Sequence, residues 1–230
     1  MKKKLIVSGC SWGDNNFFSP FHPEMDCDWP KWPELLSKKL NMECVNLCKC
    51  GAGQEYIYSS ISDYIQSTPK DEIGTVIAAW STAPRRCYSI GTRWTNDRQD
   101  IRGDLKYWIE RSIRYQYAFQ NLMEQSKLPY MHFQTISLYK GHLWEMRTKQ
   151  NVNEQYLQKL RKYALETIKN TNYKFNNKFL GWPVDEELGG KTIEMGVLNE
   201  EHRISELDRH PNAKGQQKIA EYLYEKIINS

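Results

Sequence analysis

The sequence predicts an α/β protein built in three layers, a central parallel sheet with helices on both faces. Two segments carry the sheet: "KKLIVSG" (3–9) and "GTVIAAW" (74–80) are short, nearly continuous apolar runs bounded by turn residues. A strand reads this way when helices cover both of its faces. Segments of helical periodicity lie between the strands. That alternation demands a parallel arrangement, because parallel neighbours are joined by long right-handed crossovers.

The elements follow in order. "MKKKLIVSGC" has the basic head of a signal peptide, yet its apolar run ends after Leu5, Ile6 and Val7 with no small-residue cleavage site beyond. It reads as a first strand, and the protein is expected in the reduced cytoplasm unless something else exports it. Trp32, Leu35, Leu36 and Leu40 share one face of a first helix, and "MECVNLC" (42–48) is a weaker strand. Ile57, Ile61, Tyr64 and Ile65 mark a second helix before "GTVIAAW"; Ile109, Ile113 and Tyr117 mark a third before "YMHFQTIS" (130–137), another weaker strand. The chain closes on "HPNAKGQQKIAEYLYEKIINS", where Pro211 and Asn212 start a helix that aligns Ile219, Ala220, Leu223 and Ile227. Residues 84–104 and 171–203 lack periodicity and read as long surface insertions, a length that loops reach when they serve a site. With no repeat, low-complexity tract or linker, residues 1–230 are expected to form one domain.

Composition narrows the function. A net charge of +4, with Lys and Arg interspersed among Glu and Asp, argues against a nucleic-acid surface. No apolar stretch approaches the roughly 20 residues of a membrane helix. The six cysteines, at 10, 27, 44, 48, 50 and 87, form no Cys-x-x-Cys pair and fit neither a zinc site nor a disulfide framework. His22, Asp26, Cys27 and Asp28 lack a spacing that would converge metal ligands, so that segment is expected as a loop over the site. "CGAGQE" (50–55) lacks both the Lys-Ser/Thr ending of a phosphate loop and the third glycine of a dinucleotide fingerprint. No metal and no cofactor are expected. The 13 % aromatic content, with eight Trp, suits an acylated sugar as substrate as well as a core.

Chemistry gathers at "LIVSGCSWGDN" (5–15), where Ser11 directly follows the first strand between Gly9 and Gly13. Ligands of open parallel sheets collect beyond the carboxyl ends of the strands. Alone, a serine in such a turn reads as a cap or turn residue. At the far end, "LDRHPN" sets Asp208 and His210 immediately before the closing helix. A histidine base and a carboxylate to orient it are what makes a serine nucleophilic near neutral pH. Arg85 and Arg86 follow the third strand, placed either to clamp an anionic group or to stand as solvated loop arginines; Trp12 and Trp80 could wall a pocket, with core packing the equal reading for Trp80.

Four separated stretches resemble the blocks of the SGNH (GDSL-like) hydrolase superfamily. "IVSGCSWGD" is similar to the first block with Ser11 as nucleophile, although Gly9-Cys10-Ser11 replaces Gly-Asp-Ser, a variant seen in phage and marine microbial members. "VNLCKCGAGQEYI" resembles the second block, whose glycine, here Gly51, gives its N–H to the oxyanion hole. "TVIAAWSTAPRR" occupies the third, with Trp80, Ser81, Thr82 and Ala83 where the family has Gly-x-Asn-Asp; the hole therefore needs the hydroxyl of Thr82 or Ser81 beside the N–H groups of Ser11 and Gly51. "DRHPNAKGQQKIA" resembles the last, with His210 as base. The usual Asp-x-x-His is shortened, so Leu207 stands in the acid's place; Asp208 is expected to orient His210 through a local bend, with Glu206 or a backbone carbonyl as the alternatives. The resemblance implies a flavodoxin-like fold and a serine esterase acting on a small-molecule or glycan ester. A phage origin would allow virion association. The alternatives are a non-catalytic binding or structural module on this fold, and an acyltransferase using the same serine.

Overall fold

A computed structural model describes residues 2–91, 93–97 and 102–229. A five-stranded parallel sheet runs in the order β2 (Glu43–Asn46), β1 (Lys4–Ser8), β3 (Ile73–Trp80), β6 (Tyr130–Gln134) and β7 (Phe179–Leu180). Every residue of β3 is buried, as expected of a central strand whose neighbours leave no edge to water. On one face α1 (Trp32–Lys39) packs against α7 (Ala213–Ile228), and on the other α2 (Gln54–Gln66), α3 (Leu105–Ser126) and α5 (Glu154–Lys169) pack in sequence. Alternate residues of β6 serve the two faces. Phe133 meets Trp32 of α1, with ring centroids 5.8 Å apart, whereas His132 lies 5.3 Å from Phe119 of α3. The three layers are those the sequence predicts.

Both expected insertions carry regular structure. Residues 84–104 contain the antiparallel hairpin of β4 (Arg86–Ile90) and β5 (Arg93–Asp97). The stretch 171–203 is only partly surface. It supplies β7, whose Phe179 is buried, together with the short helix α6 (Ile193–Gly196) and buried Val184, Ile193 and Leu198. A two-residue strand is too short to announce itself by periodicity. Two helices fall outside the sequence reading altogether. α4 (Lys140–Lys149) has no buried residue and hence no apolar stripe, and α5 buries only Leu157, Ala164 and Ile168. Among the described residues no helix is long and apolar enough to cross a membrane.

Candidate active site

The site is assembled where β1, β2 and β3 end and α7 begins. Ser11 occupies the second position of a tight turn closed by Gly13 N–H donating to Cys10 O at 3.1 Å. The turn leaves no room beside the chain: a Cβ on Gly13 would lie 2.7 Å from Cys48 Sγ. The loop after β2 runs alongside, with Lys49 N–H donating to Gly9 O at 3.0 Å and Asn46 Nδ2 to Gly13 O at 2.7 Å. Asp14, buried two residues past Trp12, binds the two loops together; its carboxylate accepts from Asn16 N at 2.9 Å and Cys50 N at 2.6 Å. Gly51 follows in a left-handed conformation (φ 76°), which a residue with a Cβ adopts only with strain.

Ser11 and His210 are 199 positions apart in sequence, yet Ser11 Oγ lies 2.7 Å from His210 Nε2. His210 Nδ1 lies 2.6 Å from Asp208 Oδ1. An ionised carboxylate only accepts, so the neutral imidazole carries its proton on Nδ1 and leaves Nε2 to accept from the serine hydroxyl. The short Asp-x-His spacing works because the chain doubles back tightly there. Ser205 N–H donates to Asp208 O at 3.0 Å, Ile204 N–H to His210 O at 2.9 Å, and Asp208 Oδ1 accepts from His210 N at 3.1 Å. Glu206 and Leu207 face solvent in this turn. Asp208 Oδ2 accepts from Ser19 Oγ at 2.5 Å. Burial pushes the Asp208 carboxyl upward, but hydrogen bonds from His210 and Ser19 outweigh it and hold the group at about 2.

The residues after His210 also tie its loop to the Ser11 turn. Asn212 caps α7, its side chain accepting from Gly215 N at 3.0 Å, and the buried Gln216 donates to Trp12 O at 3.0 Å while accepting from Trp32 N at 2.8 Å. Phe17 packs on His210 with ring centroids 4.3 Å apart, and Trp12, nearly buried, is 6.5 Å from the same ring.

The remaining candidates take other places. Trp80 is fully buried on the α3 side, where its Nε1 donates to His132 Nδ1 at 3.1 Å, so it is a core residue and not a pocket wall. The Thr82 hydroxyl donates to Leu138 O at 3.0 Å, which engages its proton. Ser81 is fully buried and its Oγ accepts from Arg85 Nη1 at 2.7 Å, so this arginine braces the β3 terminus instead of standing ready to clamp an anion. Two glutamines pin the same bend, Gln54 and Gln134 each donating to Ser81 O at 2.6 Å. Arg86 begins β4, where its charge acts on Glu55. His22 turns to Ser205, Nε2 to Oγ 2.7 Å, and among the described residues no three His, Cys, Asp or Glu side chains converge on a metal site. Ser19, Asp14, Gln54 and Gln216 escape sequence reading because each acts across the fold; Asp14, Gln54 and Gln216 stand inside the first, second and last blocks, and Ser19 alone lies outside them.

No family model and no curated protein matches the chain's sequence. Its fold does match solved structures. One is the psychrotrophic esterase EstA from Pseudoalteromonas sp., in a structure inhibited by monoethylphosphonate (TM-score 0.52, 11 % identity, 99 % of this chain and 100 % of that one). Another is a carbohydrate esterase family 2 enzyme with a carbohydrate-binding domain from Corynascus thermopiles (Myceliophthora fergusii) (TM-score 0.51, 14 % identity, 100 % of this chain and 66 % of that one). At such identities the likeness is one of architecture. The chain shares with these esterase structures a three-layer α/β/α fold around a parallel sheet.

Proposed function

We propose that the protein is a serine hydrolase that cleaves an ester or acetyl group through an acyl-enzyme on Ser11. The observation that carries the reading is the continuous chain Ser11 Oγ, His210 Nε2, His210 Nδ1 and Asp208 Oδ1, with successive contacts of 2.7 and 2.6 Å. His210 takes the Ser11 proton as Oγ attacks the carbonyl carbon, and Asp208 stabilises the imidazolium that forms. Collapse of the tetrahedral intermediate returns that proton to the leaving alcohol. Water, activated by the same imidazole, then releases the acid and restores Ser11. Backbone N–H groups of Ser11 and Gly51 are the proposed oxyanion donors. With the Thr82 proton engaged elsewhere, they bear this role without a side-chain amide, and in a protease the loss of one comparable donor costs about 100- to 1000-fold. The likeness to a carbohydrate esterase fold makes acetylated sugars the first natural esters to assay, beside small activated acetyl esters.

The test is labelling by a serine-reactive fluorophosphonate together with hydrolysis of 4-nitrophenyl acetate. Wild type is expected to label at Ser11 and to turn over. Ser11→Ala and His210→Ala should each lose hydrolysis by about 1000-fold or more while unfolding within a few degrees of wild type. A wild type that neither labels nor turns over would mark a binding or structural scaffold. Labelling with transfer of the acetyl group to an added alcohol, in preference to water, would identify an acyltransferase.

A further inference from the structure

We propose that Ser19 is a positioning residue for catalysis, its hydroxyl gripping Asp208 Oδ2 so that Oδ1 stays aimed at His210. The proposal rests on the reading of Ser11, His210 and Asp208 as a hydrolytic triad. A single residue separates Asp208 from His210, and Oδ1 alone meets both the backbone N–H and Nδ1 of that histidine, at 3.1 and 2.6 Å. A carboxylate held through one oxygen pivots about its Cβ–Cγ bond. The second oxygen therefore needs a fixed partner, and Ser19 Oγ provides it at 2.5 Å.

Three observations make this a built contact. Ser19 is fully buried and Asp208 is 1 % exposed, so the bond is sealed from solvent and a lost donor would leave a buried carboxylate oxygen unpaired. The direction of the hydroxyl is set as well: Ser19 Oγ accepts from His22 N at 3.1 Å, which leaves its own proton for the carboxylate. The segment that carries Ser19 is tied down independently, His22 Nε2 lying 2.7 Å from Ser205 Oγ, which in turn accepts from Asp208 N at 3.0 Å. Phe17 of the same segment packs on the His210 ring, so residues 17–22 brace the base and the acid together. The hydrogen bond from Ser19 also favours the ionised carboxyl, the form that stabilises the imidazolium.

A double-mutant cycle on the full chain separates positioning from mere docking of the segment. Ser19→Ala is expected to lower kcat for 4-nitrophenyl acetate about 10- to 100-fold with KM changed less than about two-fold. The rate of fluorophosphonate labelling should fall in parallel. In an Asp208→Ala background the same change should alter either rate by less than about two-fold, because the group it positions is gone. Ser19→Cys keeps the shape of the side chain with a somewhat larger atom but offers a weak donor; it should lose kcat likewise, and it carries the test should the alanine variant fold poorly. Equal losses in both backgrounds, or a wild-type kcat in Ser19→Ala or Ser19→Cys, would overturn the proposal while leaving the triad standing. A wild type that fails to label would remove the triad, and this role with it.

Discussion

Asp208 stands one residue closer to His210 than the acid does in the superfamily blocks that the chain resembles, and the fold still brings its carboxylate to the imidazole. The turn from Ser205 to His210 closes on its own backbone bonds and swings the carboxylate back to the imidazole. Glu206, with the longer arm, is exposed, and Leu207, where the acid is usually found, is 72 % exposed. Asp208→Asn should therefore lower kcat by about 10,000-fold, as the wrong-tautomer loss does in the protease triad, and Glu206→Gln by less than about three-fold. The reverse ranking in steady-state hydrolysis would move the role to Glu206. Thr82→Val makes a complementary case. Because its hydroxyl serves Leu138 O, the variant should lose about 1 kcal/mol of stability yet keep activity within about three-fold. A hundred-fold loss of kcat without destabilisation would return Thr82 to the oxyanion hole. Ser11 and His210 were legible because each sits at a chain position that sequence marks, a strand end and a helix start. Ser19 was not: in "FFSPFHP" it is one more turn residue until the fold sets it against a carboxylate 189 positions away.

At the scale of elements, legibility followed burial. β1 and β3 are covered on both faces and read as apolar runs; α4 buries nothing and shows no stripe, and β7 is two residues long. α5 is the exception, since Leu157, Leu160, Ala164, Leu165 and Ile168 recur at helical spacing and were open to the same reading. The start of α7 was visible as Pro-Asn followed by a periodic face, but the demand on Gly215 was not. A Cβ there would lie 2.2 Å from His202 O and 2.9 Å from Pro211 Cβ, both parts of the frame that presents His210. Gly215→Ala should cost at least about 2 kcal/mol, lowering the melting temperature by about 4 °C or more, with kcat falling as the frame shifts. Gly141, in the first turn of α4, has nothing within 4 Å of a built Cβ, so Gly141→Ala should stabilise by about 0.5–1 kcal/mol. Equal thermal shifts in the two variants would show that the close approach at Gly215 relaxes freely.

For the whole molecule, half of the eight tryptophans that suggested a sugar platform are spent inside. Trp12, Trp32, Trp80 and Trp108 are all buried, and Trp80 brings with it a titratable group that the site does not use. His132, in β6, is fully buried; it accepts from Trp80 Nε1 and stacks on Phe179 at a centroid distance of 4.2 Å. Burial disfavours the imidazolium and lowers its pKa to about 3. The unfolded chain takes up a proton near 6.5 that the folded chain refuses, so the stability from neutral His132 is complete above about pH 6.5 and is lost as pH falls toward about 3. Asp208 loses its contribution lower down, between about 3.8 and 2, so the two effects separate on the pH axis. Between pH 7 and 4.5 His132 should account for about 3 kcal/mol of lost unfolding free energy, at about 1.4 kcal/mol per unit. His132→Gln retains an acceptor for Trp80 without the titration. It should start less stable at pH 7, where the core is disturbed, and then lose about 3 kcal/mol less than wild type on acidification to pH 4.5 in urea titrations. Parallel losses would show that the folded protein accepts a proton at His132. A His132 imidazole resonance that titrates above pH 5 in the native state would show the same without recourse to the variant.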